Sequence, residues 1–200
     1  LSRFEQLEAE QGNISAALEW SLGGGGSELG LKMISTIFDF WWRGGHWMEW
    51  ERWMARVPAL IDHVTEATRA GTLVALSALA TYVKRDTDST IRYSSEALEI
   101  FRQVGDRRNI ARAIFWLNTG SEHLLGDDKE YAKVIASTEE AIALLKQEND
   151  LASIAQGFNN LGDYEYRHGD FVRAKAAYRE SLDIARQIKE IKALSVDVAI

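Results

Sequence analysis

The sequence predicts an all-α chain, built as a right-handed superhelical stack of antiparallel helical hairpins. Three observations predict this fold class. The 200 residues contain a single proline, Pro58, and proline disrupts a helix interior at a cost of about 3 kcal/mol, so its scarcity permits long helices. Apolar residues recur at three- and four-residue spacing, which is typical of helices with one buried face. A hairpin-sized pattern also repeats along the chain.

The clearest copy of the repeat lies near the end of the chain. Apolar residues and a small glycine mark its first helix, Gly169-Asp170 marks its turn, and an apolar stripe with spacing 3, 4, 4 marks its second helix. The residues in chain order are Phe158, Leu161, Gly162, Gly169, Asp170, Phe171, Ala174, Tyr178 and Leu182. This arrangement resembles a tetratricopeptide repeat, a two-helix unit.

Weaker copies precede it. In the copy from Ile114 to Ile142, Asn118 replaces the small glycine, and extra residues around 128–130 are predicted to lengthen the turn. Two earlier copies have their turns at Arg85-Asp86 and Gly45-His46. Corresponding positions lie about 40 to 44 residues apart, compared with the usual 34. We therefore expect long repeats with long helices.

The coarse helix boundaries follow from these patterns. They are 2–11, 14–22, 28–43, 47–56, 59–64, 66–84, 88–104, 107–125, 129–147, 150–168, 171–188 and a further start near 191. Asn13 is predicted to cap the second helix. The domain organisation is an N-terminal helical junction segment (1–22), a Gly/Ser linker (23–27) and a repeat array (28–200) that we expect to be truncated at its C-terminus.

The linker, Gly-Gly-Gly-Gly-Ser, has the composition of a flexible tether. An engineered replacement of a native loop and a natural glycine-rich connection both fit it. It is not a phosphate-binding loop, because no Lys-Ser/Thr pair follows it.

Composition excludes several classes of function. The net charge is -7 and no block of lysine and arginine is present, which disfavours direct binding to nucleic acid. The absence of cysteine rules out thiolate metal sites and fits a cytoplasmic protein. No apolar run has the 18 or more residues of a membrane span. We expect no cofactor and no enzymatic activity, because no nucleophile elbow, nucleotide-binding motif or metal-ligand spacing is found.

The N-terminal segment carries a family resemblance. The string from Phe4 to Leu22, with Leu-Glu-Ala-Glu followed by Ala-Ala-Leu-Glu-Trp, and the stretch from Glu28 to Trp53 resemble the region after the nucleotide-binding module in MalT/AfsR-like bacterial transcriptional regulators, of the STAND class and often LuxR-type. The resemblance covers essentially the whole chain. It implies a sensor arm that binds an inducer or partner protein and contacts neighbouring domains of a longer chain. A free-standing peptide-binding adaptor and a regulatory array of a bacterial adenylate cyclase or kinase stay open as alternatives.

The candidate site is the concave groove that such repeats form with their first helices. Residues at five positions of each first helix are expected to line it and to hold a peptide or a small polar inducer. They are Lys32, Ser35, Asp39, Trp42 and Arg43; Arg112, Phe115, Thr119, Glu122 and His123; and Gln156, Asn159, Asp163, Tyr166 and Arg167.

Three further expectations concern single residue types. Trp47, Trp50 and Met54 are predicted to be buried against Trp41 and Phe38, whereas Trp42 is predicted to face the groove. The four histidines are expected to be exposed by chance. Carboxylate pairs such as Asp163 and Glu165 are expected on solvated helix faces.

Overall fold

The computed structural model describes the backbone of residues 3–122 and 125–197, and the side chains of residues 4–122 and 125–189. Every regular element in these ranges is helical, which confirms the all-α prediction, and the helices pack in adjacent pairs. The ten α-helices are α1 (Arg3–Ala9), α2 (Gln11–Trp20), α3 (Ser27–Gly44), α4 (Trp47–Met54), α5 (Glu66–Leu79), α6 (Thr87–Val104), α7 (Arg107–Ser121), α8 (Asp128–Gln147), α9 (Leu151–His168) and α10 (Phe171–Asp197).

The chain divides into two compact units, Leu1–Val104 and Gly105–Ile200. In the first unit α3 packs on α4 and α5, and α5 packs on α6. In the second unit α7 packs on α8, α8 on α9, and α9 on α10. In the second unit each helix therefore packs on the next one along the chain, whereas in the first unit α3 packs on α5 as well as on α4.

The core of the first unit is built on aromatic side chains. Phe38, Trp41, Trp50 and Met54 are buried, as predicted, and the ring centroids of Phe38 and Trp50 lie 6.2 Å apart in a stacked arrangement. The prediction for Trp47 is wrong, because its side chain is 39% exposed. It occupies the first position of α4, where only one side of the helix faces the core.

Residues 23–27, predicted to be a flexible tether, form a defined connection. Ser21–Gly25 follow α2 as a wide turn that is kinked at Gly24, whose dihedral angles are not helical, and Ser27 begins α3. Gly24 and Gly26 have φ of 117° and 143°, values that side chains strongly disfavour. A Cβ at Gly25 would lie 2.5 Å from the ring of Trp20. The glycines therefore permit the left-handed backbone angles between α2 and α3 and the contact of this segment with Trp20.

Several boundaries differ from those predicted. Asn13 lies inside α2 and donates to Glu10 at 2.6 Å instead of capping the helix. Residues 128–130 form the first turn of α8, because Asp127 accepts from two backbone N–H groups and caps the helix. The helix expected to start near 191 is not separate, because α10 continues to Asp197.

The start of α5 is tied to the start of α3 by a carboxylate. Glu28 accepts hydrogen bonds from the Thr68 hydroxyl at 2.5 Å and from the Thr65 hydroxyl and backbone N–H, both at 2.8 Å. Thr65 is also the N-cap of α5. These bonds, led by the one from Thr68, lower the pKa of Glu28 from 4.5 to about 2.

Replacing Glu28 with glutamine should lower the free energy of unfolding of the first unit at pH 7 by about 1 kcal/mol, since hydrogen bonds to a charged acceptor are lost. Because folding lowers the pKa of Glu28, its ionised carboxylate stabilises the folded state fully above the ordinary pKa of 4.5. This stabilisation is lost as the pH falls towards the lower pKa of the folded state. The difference between wild type and Glu28→Gln should therefore shrink between pH 7 and pH 3.5 in urea titrations followed by circular dichroism. Glu66→Gln, an exposed change in the first turn of α5, serves as the control. If Glu28→Gln lowers the free energy of unfolding as much at pH 3.5 as at pH 7, the lowered pKa of Glu28 is contradicted.

A second prediction concerns Arg85, which ends the helical turn after α5 with φ of 54° and ψ of 36°. This left-handed conformation is unfavourable for a residue with a side chain. Arg85→Gly should raise the free energy of unfolding by about 0.5–1 kcal/mol. Asn149, with φ of 52°, is the matched comparison, because asparagine tolerates this conformation and Asn149→Gly should change stability little. Equal gains at the two sites, measured by urea denaturation, would refute the explanation.

Candidate functional site

The predicted groove positions of the second unit lie on α7 and α9, which approach closely at Gly157. A Cβ there would lie 2.7 Å from Ile142 of α8 and 3.0 Å from the ring of Phe115 of α7. Phe115 is half-buried beside this glycine. The absence of a side chain at Gly157 therefore lets α9 lie against both α7 and α8.

An ion pair joins the same two helices. Arg167 Nη1 donates to Glu122 Oε2 at 2.6 Å, although the residues are 45 positions apart. The pKa of Glu122 is raised, chiefly by burial and in part by the negative charge of Asp163. The positive charge of Arg167 acts in the opposite direction and lowers this pKa. Three of the predicted groove residues, Glu122, Asp163 and Arg167, thus share one electrostatic environment.

Asp163 is held by its neighbours on α9 and α10. The Tyr178 hydroxyl donates to Asp163 Oδ1 at 2.6 Å, and Asn159 Nδ2 lies 3.4 Å from Oδ2. Burial, followed by the bond to Asp163, raises the pKa of Tyr178 to about 12. The hydroxyl therefore stays protonated at neutral pH and acts as a donor that fixes the carboxylate.

The remaining groove residues of this unit differ in exposure. Tyr166 is 58% exposed, and its ring meets that of Phe171 edge-on with centroids 5.4 Å apart. Gln156 is exposed and donates to Asn160 at 2.8 Å. Arg112 is half-buried and donates to Asn109 at 3.3 Å. His123 lies outside the described residues. The unit therefore presents amides, both signs of charge and an aromatic ring.

The groove positions of the first unit lie along α3. Lys32 pairs with Glu28 at 3.3 Å, and Asp39 and Arg43 are exposed. Trp42 is half-buried, with its ring stacked on Tyr82 at 4.7 Å and the Arg43 guanidinium 5.0 Å from its centroid. Trp42 is thus part of a stacked trio, an arrangement that its sequence position did not reveal.

Glu165, expected on a solvated face, is only 1% exposed, so that prediction is wrong. The Tyr131 hydroxyl donates to Glu165 Oε2, and Arg173 Nη2 lies 3.0 Å from Oε1. Tetratricopeptide repeats carry a tyrosine three residues after the small glycine, and Glu165 stands three residues after Gly162. This departure from the repeat pattern was the available signal for a buried carboxylate.

Two of the histidines are also engaged, contrary to expectation. His168 stacks on Tyr131 with centroids 3.5 Å apart and its Nδ1 lies 3.2 Å from the Leu125 carbonyl oxygen. His46 Nε2 lies 2.9 Å from Glu8 Oε1. His63 is exposed, as expected. No cluster of three or more metal-ligating side chains occurs among the described residues, and no described helix has the length and apolar character needed to cross a bilayer.

Comparison with known proteins bears on the fold. No family model matches the chain, and no curated protein sequence matches it. Among solved structures, the chain is similar to BtubC (BKLC) from P. vanneervenii, with a TM-score of 0.67 and 17% sequence identity over 94% of this chain and 75% of that chain. At this level of identity the similarity concerns the fold alone.

Proposed function

We propose that the chain is a non-catalytic binding module of the tetratricopeptide type, which holds a peptide or a small polar ligand against its first helices. The observation that carries this proposal is the convergence of α7 and α9 at Arg167 and Glu122. Polar side chains from two helices meet there, which is the arrangement that a groove lined by consecutive first helices would need. Exposed Tyr166 beside it offers an aromatic anchor, a residue type enriched at binding hot spots.

The chemistry of this surface favours a ligand with mixed character. Arg167 is neutralised by Glu122, and Asn159 faces Asp163. A peptide-binding adaptor that clamps a terminal carboxylate needs free cationic and amide donors, so this pairing does not favour the adaptor alternative. An amide-rich or zwitterionic ligand that exchanges with these internal bonds fits better.

We further propose that the module is the sensor arm of a MalT/AfsR-like bacterial regulator, located in the cytoplasm. The support is the N-terminal string from Phe4 to Leu22 and the long repeats. The gene should then encode a nucleotide-binding module upstream of Leu1. A gene without such a module would contradict the assignment to this class of regulator, and it would not affect the proposal that the chain binds a ligand.

A thermal-shift screen against a panel of metabolites, nucleotides and short peptides tests the binding proposal. A ligand should raise the melting temperature of the wild type, and this shift should be lost in a Gln156→Ala/Tyr166→Ala variant, because both side chains are exposed and their removal spares the core. Glu140→Ala, an exposed change on α8, is the control. A shift that persists in the double variant would place the ligand elsewhere and refute the groove.

A further inference from the structure

The outer face of α10 carries charge of one sign. With a rotation of 100° per residue, six exposed side chains fall within a sector about 80° wide. They are Phe171, Lys175, Arg179, Leu182, Arg186 and Lys189. Between Phe171 and Lys189 no acidic residue lies in this sector, since Glu180 and Asp183 project outside it. We name these six residues the basic face.

The basic face also contains two large apolar side chains. Phe171 is 63% exposed and Leu182 is 50% exposed. They are 11 residues apart, about three helical turns. An exposed helix face with apolar residues at this spacing and charges between them matches a surface that packs on another helix.

Side chains of α9 lie next to the basic face. Phe171 meets Tyr166, and Tyr178, next to the basic face, donates to Asp163. The surface formed by α9 and α10 corresponds to the one formed by α7 and α8. In the second unit α9 covers that earlier surface, with Gly157 between Phe115 and Ile142. By this correspondence, we expect the surface formed by α9 and α10 to pack against a further helix.

We propose that the basic face docks an acidic amphipathic helix of a partner protein, with leucine-like residues at three- and four-residue spacing flanked by Glu and Asp. Charge complementarity selects this occupant: Arg186 pairs with Asp183 of its own helix, while Lys175, Arg179 and Lys189 form no ion pair with a described residue. A symmetric pairing of two copies through this face would bring cations against cations.

The test uses a fluorescein-labelled, 18-residue helical peptide with leucines at three- and four-residue spacing and glutamates beside them. The control peptide has lysine at each glutamate position. In fluorescence anisotropy at low salt, the acidic peptide should bind at least about tenfold more tightly than the lysine peptide, and 0.5 M NaCl should weaken it. Lys175→Glu/Arg179→Glu should reduce its affinity by about tenfold or more.

The control is Ala176→Glu/Gln187→Glu, which introduces the same number of glutamates on another side of the exposed surface of α10, with half the change in net charge, and should leave affinity nearly unchanged. Circular dichroism verifies that all variants fold. Equal loss in both double variants would show a general charge effect and overturn the proposal. So would binding of phosphatidylserine vesicles in preference to the peptide, or a dimer in sedimentation that Lys175→Glu/Arg179→Glu abolishes. Ligand binding at Gln156 and Tyr166 is scored separately, so failure of one site does not decide the other.

Discussion

Replacing Trp50 with alanine is expected to lower the free energy of unfolding of the first unit by about 3–5 kcal/mol. Its side chain has no exposed surface and stacks on Phe38. The substitution removes one of the two fully buried tryptophans of α4 and leaves a cavity whose walls include other large rings, which relax little. Urea denaturation followed by far-UV circular dichroism measures the loss.

Trp20→Ala is the matched control, because it removes the same side chain from a position that is 63% exposed. Its effect should be below about 1 kcal/mol, as for most surface substitutions. Similar losses for the two variants would mean that Trp50 does not anchor the core as the structure indicates. Trp50→Phe should recover part of the stability by refilling the cavity.

The second large effect is expected at Arg173. Arg173→Ala leaves the carboxylate of Glu165 buried without its cation, and loss of one partner of a buried pair costs about 3–5 kcal/mol. Arg173 itself is half-exposed, so water can partly replace it, and we expect about 2–3 kcal/mol.

The double variant Glu165→Gln/Arg173→Ala distinguishes charge from packing. A neutral amide needs no cation and its oxygen can still accept the Tyr131 hydroxyl bond. The double variant should therefore be more stable than Arg173→Ala alone, in denaturation experiments on the wild type, both single variants and the double variant. Strictly additive losses would show that Arg173 acts by packing and not by neutralising Glu165.

Periodicity predicted the helices well because each buried face is continuous. The predicted ranges 88–104 and 150–168 differ by one residue from the observed α6 and α9. It failed at residues 128–130, because either Asp127 or Asp128 could have capped α8, and the choice depends on the rest of the fold. It also ended α10 too early, although no glycine or proline occurs between Phe171 and Asp197 to stop a helix.

Some of the residues predicted to line the groove lie close together in the structure, and the groove itself stays a prediction. The structure brings Glu122 and Arg167 together across two helices, although the two residues occupy neighbouring and not equivalent positions of consecutive repeats. It was not possible to foresee that Trp42 stacks on Tyr82, which lies 40 residues away in a turn whose conformation the sequence did not predict. The partners of Glu165 lie 34 residues before it and 8 after it, distances that no helical spacing rule connects.

Asn118 and Gly162 occupy the same position of consecutive repeats and solve one packing problem in two ways. A Cβ at Gly162 would lie 2.6 Å from the ring of Tyr178, so that hairpin closes by omitting a side chain. The buried Asn118 amide instead donates to the hydroxyl oxygens of Ser137 and Thr138, both at 2.9 Å. The first helix of each hairpin is therefore fitted to its own second helix, and exchanging the first helices alone would place a side chain against Tyr178 or leave Ser137 and Thr138 without the Asn118 amide.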